Sequence, residues 1–258
     1  MRLMKRILSA AAVLALSASL LVGCSSGTAS SVPVSASSAA ESTVSSVEET
    51  ASSAVDENEA AAAQLLNDLT GSYQELWPVI LADEYKQTWL DDCTALVGEE
   101  NAEAAFEKLS SMVTSDVYGE DAVEAYANGG GAYFCGFTNS LATLTFDGET
   151  STISGTDKDG NVLFSHTYHY IGMEPVRGLY EFQSDDADSG EFTYFFLAPD
   201  TSAETYHIEF RYGSDADALS QYDAGDYAYW LASGISTDCD QTMIDNCIEL
   251  FCTENLAG

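Results

Sequence analysis

Basic residues are scarce in this chain, which has 8 Lys and Arg against 42 Asp and Glu. Arg2, Lys5 and Arg6 precede Cys24, so everything after Cys24 carries five basic residues and all 42 acidic ones, a formal charge of −37. Phosphate recognition needs a basic footprint, and its absence excludes nucleic acid as a partner. Histidine is equally sparse: His166, His169 and His207 are the only three. The six cysteines include no C-x-x-C, which argues against a Cys-rich metal site. The chain lacks internal repeats, a nucleophile with a partnering base, a phosphate-cradling glycine loop before a helix, and a close carboxylate pair, so no enzymatic activity is expected. What the acidic surplus favours is solubility and the attraction of cations, divalent metals included, to any concave site.

Against these absences stands a dense aromatic stretch, residues 192–213 (FTYFFLAPDTSAETYHIEFRYG). It reads as a hairpin, two strand-like runs around the turn cluster Ala198-Pro199-Asp200-Thr201-Ser202. In the second run Thr205, His207, Glu209 and Arg211 share one face, while Tyr206, Ile208, Phe210 and Tyr212 share the other. Such a strand fits a binding wall of a small barrel, and it equally fits an ordinary strand with its polar side in water.

Taken in order, the chain opens with basic residues followed by an apolar run over residues 7–21, too short for a permanent membrane span. The run ends in Leu21-Val22-Gly23-Cys24, which resembles the lipobox of bacterial lipoproteins. The resemblance implies a lipoprotein signal segment over residues 1–24 cut just before Cys24, diacylglycerol on Cys24, and a lipid anchor in the cell membrane on the extracytoplasmic side. Residues 25–56 are rich in Ser, Ala and Thr and cannot bury a core, so a disordered tether is expected, with a reach of about 30 Å. Residues 57–258 suit one domain.

Within that domain, helical spacing marks 57–69, 83–97, 101–112 and, briefly, 121–127. After Gly129-Gly130-Gly131 the period changes to alternation. Strands are expected at 133–137, 141–146, 150–154, 162–171, 178–182, 192–198 and 205–212, separated by Asp147-Gly148, Asp159-Gly160-Asn161, Met173-Glu174-Pro175 and 185–190. A meander of this kind closes most economically into a barrel, with a β-sandwich as the alternative. Residues 222–233 are expected to cover one end of the barrel. A last helix follows Thr237, with Ile244, Cys247, Ile248 and Phe251 on one face and Thr237 with Asp240 resembling a capping box.

Residues 67–80 (NDLTGSYQELWPVI), the alternating segment 143–147, the run 170–182 with Arg177, Tyr180 and Phe182, and Ala198-Pro199 followed by the His207 strand and Gly213-Ser214-Asp215 together resemble the ZinT (YodA) family. The resemblance spans about residues 67–235. It implies a mainly β, lipocalin-like β-barrel of the calycin type, with an N-terminal helical region and a C-terminal helix. It also implies zinc, held in that family chiefly by one histidine before the Ala-Pro turn and a His-x-His after it. Only His207 matches those positions. The other two carry Phe195 and Thr205, and one imidazole cannot make a zinc site of about four ligands.

The candidate metal ligands are therefore His207, Glu209 on the same strand face, and His169. Glu204 begins the same strand, and His166 ranks below His169, since the two point to opposite faces of their strand. Two readings follow. The first is a surface-tethered lipoprotein that binds a divalent metal, zinc foremost, for capture or delivery to a metal-uptake transporter. The second is a metal-free lipocalin-like module for a small apolar ligand or a cell-surface partner, using Phe192, Tyr194, Tyr206 and Tyr212 or their opposite face. Cys93, Cys135, Cys239, Cys247 and Cys252 leave disulfide pairing open, with one thiol left over; Cys239, Cys247 or Cys252 could tie the last helix to Cys93 or Cys135.

Overall fold

The computed structural model describes residues 57–129, 131–198, 204–205 and 207–257. The leader 1–24 with Cys24, the tether 25–56, the turn residues 199–203 and Tyr206 lie outside the described residues.

Eight antiparallel strands form a closed barrel in simple sequence order. They are β1 (Gly71–Glu75), β2 (Thr143–Asp147), β3 (Thr152–Thr156), β4 (Val162–Met173), β5 (Tyr180–Ser184), β6 (Tyr194–Leu197), β7 (His207–Gly213) and β8 (Ala232–Ser236). Pairing of β1 with β8, Tyr73 opposite Ser236 and Glu75 opposite Gly234, closes the ring and removes both sheet edges. Register shifts on either side of β4, between Gly155 and Thr156 and between Tyr170 and Gly172, help the long strand bend round the barrel.

The expected lipocalin-like barrel with flanking helices is thus present, with three differences in detail. β1 and β8 were not visible as strands: GSYQE is short and mostly polar, and ASGIS consists mainly of small residues. Conversely, 133–137 contributes no barrel strand; it makes isolated bridges, Phe134 with Thr114 and with Trp230, and Cys135 O accepts from Ser233 N at 3.0 Å. The last helix is capped by Asp240, whose side chain accepts from Met243 N at 3.0 Å, and not by Thr237.

A helix through residues 57–68 (α1) precedes the barrel. Its Ala62, Leu65 and Leu66, with Leu69 just beyond, join the barrel's own core. Its end crosses the β2–β3 turn so closely that a Cβ on Gly148 would lie 2.4 Å from Asn67 Cα, so only glycine fits there. Helices α2 (Leu76–Ile80), α3 (Lys86–Val97), α4 (Glu99–Ser111) and α5 (Glu120–Ala127) separate β1 from β2, α6 (Ala216–Leu219) follows β7, and α7 (Gln241–Leu256) ends the chain.

Two apolar clusters result. The barrel interior gathers Tyr73, Leu144, Phe146, Ile153, Phe164, Phe182, Phe195, Phe210 and Tyr212. Outside the barrel, Leu76, Ile80, Trp89, Cys93, Leu109, Ile248 and Cys252 pack with Ile235 of β8, joining α2, α3, α4 and α7 to the outer face of the sheet. At about 1.5–3 kcal/mol per fully buried large apolar side chain, both clusters are major terms in stability.

Candidate functional site

The β6–β7 hairpin is where the sequence concentrates its chemistry, and its two faces are sharply different. Phe195 stands opposite Tyr212 and Leu197 opposite Phe210, so these face the lumen together. There Phe195 is 0% exposed and contacts Phe164, Tyr168, Phe210 and Tyr212 at ring-centroid distances of 5.9, 5.4, 6.4 and 5.3 Å. Phe192 stacks on Phe164 at 3.9 Å, and Tyr212 meets Trp230 edge-on at 5.0 Å. The polar atoms in this aromatic mass are satisfied. Tyr212 Oη accepts from Thr138 N at 2.6 Å and lies 3.0 Å from Thr138 O, while Tyr168 Oη donates to Phe192 O at 2.5 Å. Burial raises both phenol pKa values, so these tyrosines stay neutral. The lumen around β4, β6 and β7 is therefore a packed core.

His207, Glu209 and Arg211 lie on the opposite, outer face, registered against Ile235, Ser233 and Phe196 respectively. The expected alternation is correct, but each outer position has its own cover. Thr205 Oγ1 is 2.6 Å from His207 Nδ1, and just above it Cys247 of α7 donates to Thr205 O at 3.3 Å while Asn246 donates to Glu204 O at 2.7 Å. Glu209 is a neighbour of Cys135. Burial pushes the Cys135 thiol up to about 12, the nearby Glu209 charge adds to the effect, and contacts with Ser233 and Trp77 oppose it, so without a metal the thiol stays protonated at neutral pH.

Arg211 is 0% exposed beneath α6 and the segment after it. Its guanidinium donates to the carbonyls of Leu219 and Tyr227 and, at 3.3 Å, to that of Gln221. It lies over the Tyr222 ring at 4.4 Å, and Arg177 lies over the same ring at 4.2 Å. Both arginines that follow Cys24 thus hold one tyrosine, and Arg211 is a structural pin for the segment 219–227.

The remaining histidines are held elsewhere. His169 Nδ1 is 2.6 Å from Asp185 Oδ1 with the side chain 54% exposed, and His166 Nδ1 is 2.7 Å from Asp186 Oδ2. They point to opposite faces, as expected: His166 pairs with lumen-facing Ile153, and His169 with Gln183. His169 belongs to β4 and His207 to β7, three strand spacings or about 14 Å apart along the sheet, too far for one ion. The structure brings His207 and Glu209 onto one face and leaves His169 out of reach.

A three-histidine zinc site does not fit this chain. Phe195 lies inside the aromatic core, Thr205 and His207 lie on the other face of the sheet, and a hydroxyl and a phenyl ring replace two imidazoles. Among the described residues no group of three His, Cys, Asp or Glu is arranged to hold a metal ion.

One feature escaped the sequence reading altogether. A cleft of about 330 Å³ lies outside the lumen, lined by Glu75, Trp77, Leu81, Thr114, Phe134 and Cys135 among others. Glu75 Oε1 on its wall accepts from Phe137 N at 2.6 Å. The cleft is assembled from residues 60 apart in sequence, and no local motif marks it.

No family model matches the sequence, and no curated protein matches it. The structure is similar to the Zn(II)-bound ZinT-like domain of AdcA from Streptococcus pneumoniae, with a TM-score of 0.44 and 13% identity over 70% of this chain and 87% of that one. It is also similar to Zn(II)-bound AdcA of the same organism, with a TM-score of 0.41 and 12% identity over 71% of this chain and 34% of that one. This chain thus spans about a third of the length of whole AdcA.

Proposed function

We propose that the protein is a lipid-anchored, extracytoplasmic capture module for a divalent metal ion, zinc being the ion that the sequence resemblance implies, with His207 and Glu209 as its protein ligands. The observation that carries this reading is their placement two residues apart on the outer face of β7, with the Thr205 hydroxyl 2.6 Å from His207 Nδ1. A hydrogen-bonding group on one ring nitrogen orients an imidazole, as second-shell partners of metal-bound histidines do. Two protein ligands leave water to complete the roughly four positions zinc prefers, so binding is weak and exchange fast. Weak, open binding suits handover to a metal-uptake transporter better than storage. The charge of −37 concentrates cations near the surface and supports the same reading. Lipid on Cys24 and the tether 25–56 would hold the domain near the membrane; loss of labelled-palmitate incorporation in Cys24→Ala tests that part.

A second reading is favoured by the cleft at Trp77 and Phe134, whose volume falls at the lower end of the range for small-molecule sites. In that reading the barrel is a metal-free module for a small apolar ligand, bound beside the barrel rather than in its lumen.

Calorimetry with zinc on the wild type and His207→Ala separates the two. The metal reading expects weak binding that is lost in the variant and that fades on acidification, because imidazole must be neutral to coordinate. Equal binding by both proteins removes His207 from the site, and binding by neither leaves the metal-free module.

A further inference from the structure

The helical layer brings two thiols into contact across two helices. Cys93 of α3 and Cys252 of α7 lie with their sulfurs 3.9 Å apart, and both side chains are 0% exposed. They come from opposite ends of the domain, 159 residues apart, so their meeting is a product of the fold. We infer that Cys93 and Cys252 form a disulfide that fastens the C-terminal helix to α3. This inference rests on the reading of residues 1–24 as an export signal, because disulfides persist in oxidising compartments.

The geometry selects this pair from the five cysteines of the domain. An S–S bond is about 2.05 Å, so each sulfur has to move by roughly 1 Å, a small side-chain rotation. Cys247 is held instead on the carbonyl of Thr205, Cys135 sits beside Ser233, Trp77 and Glu209, and Cys239 is partly exposed just ahead of the last helix. Three thiols are then left over in the domain.

The chemistry is thiol–disulfide exchange with an exogenous disulfide, either glutathione disulfide or an oxidoreductase. One cysteine thiolate attacks a sulfur of that disulfide, forming a mixed disulfide and releasing one thiol. The second cysteine then attacks the mixed disulfide and releases the other thiol. The protein loses two electrons and two protons, and the acceptor disulfide is reduced to two thiols. Burial pushes both thiols' pKa values up in the folded domain, so thiolate is scarce once α7 is seated. The bond therefore forms as the chain folds, and afterwards the helical layer shields it.

Peptide mapping of the full chain, taken from membranes with thiols alkylated at lysis, tests this directly. The expected result is a linked peptide pair containing Cys93 and Cys252, about 2 Da lighter than the two free thiol peptides together. In Cys93→Ala the Cys252 peptide should instead be alkylated. A second sample, unfolded, reduced and refolded with glutathione disulfide, separates the pairing from the export reading. A link in the refolded sample alone supports the pairing and counts against export. Alkylation of both cysteines in both samples, or a link from either one to Cys135, Cys239 or Cys247, overturns the inference.

Discussion

The inner and outer faces of β7 are built from alternate residues of one strand and obey different rules. Inside, Ile208, Phe210 and Tyr212 are each at most 2% exposed and meet other apolar groups, so size and shape decide what fits. Outside, His207 meets the Thr205 hydroxyl, Glu209 approaches a buried thiol, and Arg211 is sealed under a loop by three carbonyls. The inner face has one task, and the outer face has a different one at each position. Polar and charged groups sit on the outer face because a strand can spare those side chains without opening the core.

The largest expected effect breaks the inner face. Phe210→Ala removes a 0% exposed ring that touches Phe137, Phe195 and Tyr212 and should cost about 3–5 kcal/mol in urea unfolding. A cost below about 1 kcal/mol would mean that the lumen is loosely filled. By contrast His207→Ala, on a half-buried outer position, should cost less than about 1 kcal/mol in the absence of metal.

Phe195→His sharpens the comparison, because it restores an imidazole at the position where the resemblance expects one. Burying a polar ring among phenylalanines should cost about 1–3 kcal/mol. It should leave zinc affinity unchanged, since the new ring faces away from His207. A tenfold gain in zinc affinity would show that the two positions share a face after all.

A smaller effect concerns polar groups facing the helical layer. Asp92 Oδ2 is buried without a partner, and its pKa is raised by burial first and then by Glu249, Asp245 and Asp91. For an acid with a raised pKa the folded state disfavours the charge, so the penalty is complete above the folded value and vanishes below the unfolded one. Asp92→Asn should therefore raise Tm at pH 7 by about 1–2 °C, with the difference shrinking as pH falls towards 4. An unchanged difference at low pH would assign the effect to something other than the carboxylate charge.

Much of this was legible in the sequence where period and packing agree. The strands β2 to β7 carry alternating apolar residues or a strong aromatic run, and the turns between them carry Gly, Asp, Asn or Pro. β1 and β8 were illegible because closing the barrel asks of them mainly backbone pairing, and Gly234 and Ala232 stay small where Ile208 and Phe210 need room. In the site, the period-two rule placed His207 and Glu209 together and separated His166 from His169. It could not reveal that Phe195 faces the lumen while His207 faces out, because the phase between two strands is set by their register. The cleft left no local trace, and the cysteine count offered Cys93–Cys252 only as one of several pairings, because both are long-range products of folding.

The most direct measurement of the central claim uses the chain's scarcity of histidine. With His166, His169 and His207 as its only imidazoles, nitrogen-resolved NMR of the ring resonances during a zinc titration reports each one separately. Zinc should shift the His207 ring nitrogens and leave those of His166 and His169 in place. A spectrum in which zinc moves His169 together with His207, or moves none of the three, would contradict a capture site on the outer face of β7.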